Sequence, residues 1–317
     1  MKRFFSIDDV AILDTLIDDA LSIKKNPLGK NELGKGKTLG LIFLNSSLRT
    51  RLSTQKAAQN LGLNTIILNP NQEAWTWEFE DGAIMNGTTV EHIKDAANVL
   101  SQYCDIIGIR CFANLKDKEE DTSEKIFSLF EKFATVPVIS LESATLHPLQ
   151  SLADCMTIKE NFESFKKPKI VLTWAPHIKP IPQAVGNSFA QWMNQTDCDF
   201  VITHPKGYEL DSKFTQKATI EYNQEIALQN ADFVYIKSWA SFENYGQILP
   251  VEEDWLLTQK KLNGTNHAKI MHCLPVRRNV EASDEILDSE NSLIYQQANN
   301  RTFAAQVILE KILEYNG

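Results

Sequence analysis

Three short segments of this 317-residue chain concentrate side chains that can grip and activate an anion. Asn45-Ser46-Ser47-Leu48-Arg49-Thr50-Arg51 follows an apolar run and opens a helical pattern. A helix start presents backbone N–H groups at the positive end of its dipole and attracts phosphate, while the Ser47 and Thr50 hydroxyls and the Arg49 and Arg51 guanidiniums add donors. Taken alone, the segment fits equally well an N-cap serine followed by solvated arginines. Glu142-Ser143-Ala144-Thr145-Leu146-His147-Pro148-Leu149-Gln150 also follows an apolar run. Pro148 restrains the backbone beside His147 and Gln150, which suits donors fixed on a carbonyl oxygen, although a helix start with a surface histidine is the plainer alternative. The third segment, His272-Cys273-Leu274-Pro275-Val276-Arg277-Arg278, sets a thiol near two arginines. Such surroundings favour a reactive thiolate, and with no other clustered thiols no zinc site is expected.

Single residues extend the pattern. Arg110 closes the apolar run DIIGIR and needs either solvent or a partner there, for which an anionic ligand is suited. Lys237 ends another apolar run, and His177 lies in the Pro-rich stretch 174–182. Each alone reads as an isolated polar residue on a loop. Gly34-Lys35-Gly36-Lys37-Thr38 resembles the end of a nucleotide P-loop, but Asn31 stands where the first glycine is required, and the glycines precede a strand instead of following one. It is read as a turn.

The elements that must position these residues alternate along the chain, as parallel strands do when joined by crossover helices. Strands are expected at residues 38–44, 65–68, 105–110 and 136–140, and again at 169–174, 200–203, 233–236, 269–272 and 293–295. Helical patterns cover 7–23, 49–61, 91–103, 123–133, 152–165 and 296–315. The expected fold class is α/β, two domains, each a parallel sheet flanked by helices. The first spans 1–148 and the second 149–317, with the C-terminal helix able to return to the first. In such sheets ligands bind beyond the carboxyl ends of strands, where the segments above fall.

Composition narrows the partners. Asp and Glu outnumber Lys and Arg by 41 to 32, a formal charge of −9, so no long-range positive field favours nucleic acid or an anionic membrane. Asp8 and Asp9 interrupt the first apolar run after the basic start, and no run approaches a membrane span. The five cysteines form no CxxC pair and read as reduced thiols of a cytoplasmic protein.

Taken together and in this order, SLRTR, HPLQ and HCLP resemble the motifs of the aspartate/ornithine transcarbamylase superfamily, over essentially the whole chain. The resemblance implies that Ser47, Leu48, Arg49 and Thr50 hold the phosphate of carbamoyl phosphate and that Arg110, His147 and Gln150 face its carbamoyl group. Cys273, Leu274 and Arg301 complete that site. Arg49, Thr50, Arg110, His147, Gln150 and Cys273 are the catalytic candidates. It further implies a homotrimer with active sites at subunit interfaces, to which Trp75 contributes across the interface, and no metal or organic cofactor.

Departures from the ornithine pattern point to the substrate. Where ordinary ornithine enzymes carry DTW and SMG, this chain has Lys237-Ser238-Trp239 and Ala240-Ser241-Phe242. An ammonium there repels an α-ammonium and suits a carboxylate, and one charge contact at 4 Å is worth about 4 kcal/mol at an effective dielectric near 20, before desolvation. The resemblance is therefore to the branch that uses an α-N-acylated ornithine, with Glu142, His177, Lys237 and Arg278 at its substrate positions. Acetyl-specific members carry a glutamate where Val90 stands here; Val90 does not repel the extra carboxylate of a succinyl group. The proline of succinyl members is missing, so the assignment rests partly on the segment NSSLRTRLSTQKAA, which is similar to that of succinyl enzymes; succinylornithine is the expected acceptor, in arginine biosynthesis, and acetylornithine the alternative. A non-catalytic anion-binding relative is disfavoured by three intact motifs, and an NAD-dependent dehydrogenase by the lack of GxGxxG.

Overall fold

The computed structural model describes residues 1–70, 75–164 and 166–316. Two compact units make up the chain: residues 1–114, 119–149 and 301–317 form the first, and residues 115–118 and 150–300 the second. The helices Pro148–Glu160 and Ile294–Asn316 each begin in one unit and end in the other. Among the described residues no helix is long and apolar enough to cross a membrane.

The first unit contains strands β1 (Thr38–Phe43), β2 (Asn64–Leu68), β3 (Trp77–Glu78), β4 (Glu91–His92), β5 (Ile106–Arg110) and β6 (Val138–Glu142). Four of them form a parallel sheet in the order β2-β1-β5-β6. TLGLIF and IIGIR are almost continuously apolar because central parallel strands are buried on both faces. Gly40 in β1 allows close packing: a Cβ there would meet Cys104 Sγ at 2.7 Å, at the end of helix Ile93–Tyr103. Helix Lys125–Phe133 buries Phe127 and Phe130 against Ile42, Ile107 and Ile109.

The strand order reverses direction between β1 and β5. From β1 the chain moves outward to β2, and β5 then returns on the other side of β1. A reversal of this kind leaves a crevice at the carboxyl ends of the two central strands. Those ends carry Ser47 to Thr50 after β1 and Arg110 on β5, and Phe43 is the register partner of Arg110.

The second unit repeats the arrangement with β7 (Lys169–Trp174), β8 (Asp199–Thr203), β9 (Thr219–Glu221), β10 (Phe233–Lys237) and β11 (Lys269–Met271), all parallel in the order β11-β10-β7-β8-β9. Its reversal lies between β7 and β10. Trp174 and Lys237 are register partners, so the loop that bears His177 leaves the sheet beside Lys237.

The α/β class with parallel sheets flanked by helices is what the sequence pattern predicts, with local corrections. Residues 293–295 are not a strand: Ser292 makes an isolated bridge to Ile270, and a helix begins at Ile294. The helix expected from 152 starts at Pro148, since proline suits a first helical turn; Phe165, at its expected end, lies outside the described residues. The helical pattern at 7–23 divides into a 3-10 turn, Ile7–Asp9, and a helix, Leu13–Lys25.

Glu281, only 2% exposed, ties the segment after β11 to the end of β10. It accepts from Ser238 Oγ at 2.6 Å and from the Arg277 N–H at 2.5 Å, and His272 Nε2 lies 3.7 Å away. Burial pushes its pKa up, but His272, Lys237 and Ser238 outweigh burial and hold it at about 2, against an ordinary 4.5. A depressed carboxylate pKa stabilises the fold above the ordinary value, and the contribution disappears as pH falls from 4.5 to about 2. It is on the order of 3 kcal/mol. Urea unfolding should show Glu281→Gln less stable than wild type at pH 7 and with a flatter loss of stability below pH 4.5; parallel acid limbs would contradict this role.

Candidate active site

Thr50 is the centre of the first unit's cluster. Ser47 caps helix Leu48–Asn60 by accepting from the Thr50 N–H at 3.3 Å, and the first turn contains no acidic residue to compete with an anion. Thr50 Oγ1, fully buried, accepts from Arg301 Nη2 at 2.7 Å and from Arg110 Nη1 at 3.4 Å. The Leu48 side chain is exposed, so only its main-chain N–H fits an anion-binding role.

Arg110 does not wait for a ligand to be compensated. Its Nη1 donates to Glu142 Oε2, and its guanidinium lies 4.2 Å from the Phe112 ring centroid. The pairing depends on an irregularity: Ile109 is opposite Ser140, yet Arg110 is opposite Glu142, so the register slips by one residue and brings a carboxylate where Leu141 would stand. His147 Nε2 is 3.4 Å from the same Glu142 oxygen. Burial, then Arg301 and Arg110, hold the His147 pKa well below the usual imidazole range despite that carboxylate. His147 is therefore a neutral imidazole at pH 7, and its Nδ1 and Arg110 Nε are buried with no hydrogen-bond partner among the described residues. The buried guanidinium groups of Arg110 and Arg301 converge on Thr50 beside the Glu142 carboxylate, an arrangement of donors suited to a phosphate and a developing oxyanion.

Trp75 and Val90 share another part of this unit. Both are exposed, the Val90 N–H donates to the Thr76 carbonyl at 3.0 Å, and Trp75 Nε1 donates to Glu91 at 2.9 Å, beside the β3–β4 pair. Ile84 and Met85 add exposed apolar surface nearby in sequence. Glu73 and Ala74, before Trp75, lie outside the described residues.

In the second unit Lys237 is buried and donates to the Ser238 carbonyl at 2.9 Å, near the Glu281 carboxylate. His177 contacts Arg277: Arg277 Nε donates to His177 Nε2 at 3.0 Å, while His177 Nδ1 is 2.8 Å from the Lys179 carbonyl. Cys273 is half-buried. The turn after it is pinned by the Leu274 N–H donating to His272 Nδ1 at 2.9 Å, with Leu274 at φ +57°. Gln150, in the first turn of helix Pro148–Glu160, donates to Asp154 at 2.7 Å.

The structure therefore brings Ser47, Thr50, Arg110, His147 and Arg301 together, with Glu142 among them. Arg278 is placed otherwise than expected. It is held by Asp284 and, through two bonds, by Asp288, each at 2.7–2.8 Å, and its neighbour Arg277 is the one that meets His177. Adjacent arginines in a tight turn point apart, and sequence alone does not say which faces inward. Asp154, Gln297 and Glu281 were not anticipated. A buried acid within the apolar stretch LADCMTI was the available signal for Asp154.

Comparison with known proteins follows the same division. The carbamoyl-P binding domain of aspartate/ornithine carbamoyltransferase matches residues 2–160, and the Asp/Orn binding domain of the same enzymes matches residues 182–312. N-succinylornithine carbamoyltransferase of Bacteroides fragilis (strain 638R) is 50% identical over 316 residues, 99% of either chain. N-acetylornithine carbamoyltransferase of Xanthomonas axonopodis pv. citri (strain 306) is 34% identical over 100% of this chain and 98% of that one. A solved glutamate-to-valine mutant of N-acetyl-L-ornithine transcarbamylase, complexed with carbamyl phosphate and N-succinyl-L-norvaline, superposes with a TM-score of 0.91 at 33% identity, covering 98% of this chain and 100% of that one. Two family domains in order, with full-length identity far above 30%, settle the relationship: the chain belongs to the aspartate/ornithine carbamoyltransferase family.

Proposed function

We propose that the protein transfers the carbamoyl group of carbamoyl phosphate to the δ-amine of N2-succinyl-L-ornithine, giving N-succinylcitrulline and phosphate, as a step of arginine biosynthesis. The observation that carries the reading is the convergence of Arg110 and Arg301 on Thr50, with neutral His147 beside them, at the carboxyl ends of the two central strands. The name of the half-identical Bacteroides relative supports the choice of acceptor.

In this reading the start of helix Leu48–Asn60, with Ser47, Arg49 and Thr50, holds the phosphate, and Arg110, His147 and Gln150 face the carbamoyl group. The free δ-amine attacks the carbonyl carbon, the new C–N bond forms, the C–O bond to phosphate breaks, and the amine loses a proton. An alkylamine is mostly protonated at pH 7, so freeing it costs about 4–5 kcal/mol. Surrounding cations favour the neutral amine, and Cys273 with the Leu274 carbonyl orients it. Arg110 and His147 stabilise the oxyanion, where one well-aimed donor contributes about 2.7–4 kcal/mol. Phosphate leaves without a metal or organic cofactor.

Lys237 and Arg277, the latter held by His177, supply the positive charge for the carboxylates of the acceptor, in place of the Arg278 expected from sequence. Val90, exposed beside Trp75, serves the acyl group from a neighbouring copy in a homotrimer whose interface includes Ile84 and Met85. Five free thiols fit the cytoplasm.

Purified protein given carbamoyl phosphate should form a citrulline-type product fastest with succinylornithine, more slowly with acetylornithine and least with ornithine; no turnover of any amine would favour a non-catalytic relative. Arg110→Leu should lower kcat by about 100-fold or more, the scale of one lost oxyanion donor, and a near-normal kcat would remove Arg110 from the mechanism. Val90→Glu should shift relative kcat/KM from succinylornithine toward acetylornithine by tenfold or more, equivalent to about 1.4 kcal/mol. An unchanged ratio, or a monomer by light scattering, would sink the interface assignment.

A further inference from the structure

Ser143-Ala144-Thr145-Leu146 reverses the chain between Glu142 and His147 without a glycine or a proline to impose the turn. It closes on itself through the Ser143 N–H, which donates to the Leu146 carbonyl at 2.8 Å, and the Leu146 N–H, which donates to Ser143 Oγ at 3.0 Å. Packing constrains it little. A cavity of about 120 Å³ is lined by Ser143 and Leu146, another of about 220 Å³ is lined by Ala144, and Glu124 borders both.

Glu124 has no part in the reaction proposed above, yet it holds this turn from outside. Its Oε1 accepts from Ser143 Oγ at 2.6 Å, from the Thr145 N–H at 2.8 Å and from Thr145 Oγ1. Ser143 and Thr145 are buried, so water competes little for these bonds. Glu124 precedes helix Lys125–Phe133 but makes no side-chain cap bond to it, and its backbone sits in the left-handed region at φ +51° and ψ 38°. A residue with a Cβ stays there only where its surroundings over-determine it, and three bonds to one carboxylate oxygen do so.

The residues that the turn joins are the two that meet Arg110. Glu142 Oε2 accepts from Arg110 Nη1, and His147 Nε2 lies 3.4 Å from the same oxygen. Both side chains reach one guanidinium from opposite ends of a four-residue turn, so the shape of the turn sets their spacing. We propose that Glu124 is a positioning residue: by accepting the bonds that clamp the turn, it fixes Glu142 against His147 and so aims Arg110 and His147 at the carbamoyl oxygen. It acts as an acceptor and not through its charge. This inference rests on the reading that places Arg110 and His147 at the carbamoyl group; the phosphate, which that reading gives to the start of helix Leu48–Asn60, is gripped by a separate segment.

Kinetics of citrulline formation from succinylornithine distinguish this role from a structural one. Glu124→Met keeps the length of the side chain and removes the acceptor. Its kcat should fall about tenfold or more, since misplacing a catalytic group by roughly 1 Å costs up to about 100-fold, while Ki for inorganic phosphate stays within about twofold of wild type. Glu124→Gln, whose amide oxygen can accept the same bonds, should recover kcat to within about threefold of wild type. A lower melting temperature with kcat intact, or kcat and phosphate affinity lost together, would overturn the proposal, as would a Glu124→Gln variant as slow as Glu124→Met. Should Glu124→Met not fold, Ser143→Ala combined with Thr145→Val removes two donors from the other side of the clamp; the same split is expected, and an unmoved kcat there is equally fatal. Wild type that carbamoylates no amine sinks the proposed reaction, whereas active wild type whose kcat survives Glu124→Met sinks this inference alone.

Discussion

Arg110 is 6% exposed at the end of an apolar strand, and the Glu142 carboxylate that compensates it governs much of what surrounds it. Removing one partner of a buried ion pair costs about 3–5 kcal/mol, because the other charge is left without solvent. The slip of register between β5 and β6 is what makes the pair possible. Once formed, it aims the guanidinium at Thr50, places His147 against the same carboxylate, and leaves Arg301 to complete the surplus of positive charge. In the reading proposed above, an arriving anion would meet donors that are already oriented and would compete with Glu142 for Arg110. The resting cluster thus exchanges some affinity for a geometry that needs little reorganisation during the reaction.

The second unit uses buried acids in the same way. Glu281 collects Ser238, the Arg277 N–H and His272, and so joins the ends of β10 and β11. Asp154 collects two amides and joins the first turn of one helix to the first turn of another. In each case an acceptor-only group, dry and nearly inaccessible, decides the direction in which neutral or cationic side chains point. Low dielectric makes such contacts strong, and it makes any misdirected donor costly.

Which parts of this were readable from residues alone follows from the range of the interactions. The strands and their polar ends could be found because apolar runs of five or six residues, each followed by chemistry-bearing side chains, are local signals. Ser47 as a helix cap and Arg110 as a strand end needed nothing further. The pairing of Glu142 with Arg110 was not readable, because it is set by a one-residue slip that no periodicity records. The directions of Arg277 and Arg278 were not readable, because each depends on Asp284, Asp288 and His177, the last a hundred residues away from Arg277. Leu293 to Tyr295 looked like a strand because three apolar residues carry no period, and the long helix that follows claims two of them.

Charge arithmetic at the second unit bears on the acyl group. The chain carries −9 overall, but screening confines surface charge to about 8 Å at physiological salt, so the local inventory decides what binds. Among the described residues of this unit, Lys237 and Arg277 lie near the Glu281 carboxylate, while the charges on Arg278, Asp284 and Asp288 are engaged with one another. The remaining balance is positive. Free ornithine would bring an α-ammonium to that balance; an acylated ornithine masks it as an amide and keeps its α-carboxylate. A succinyl group adds a second carboxylate, which two cations answer better than they answer the methyl of an acetyl group. A local surplus of positive charge favours the ligand that carries the extra carboxylate, which is one way in which small charged ligands of similar size are told apart.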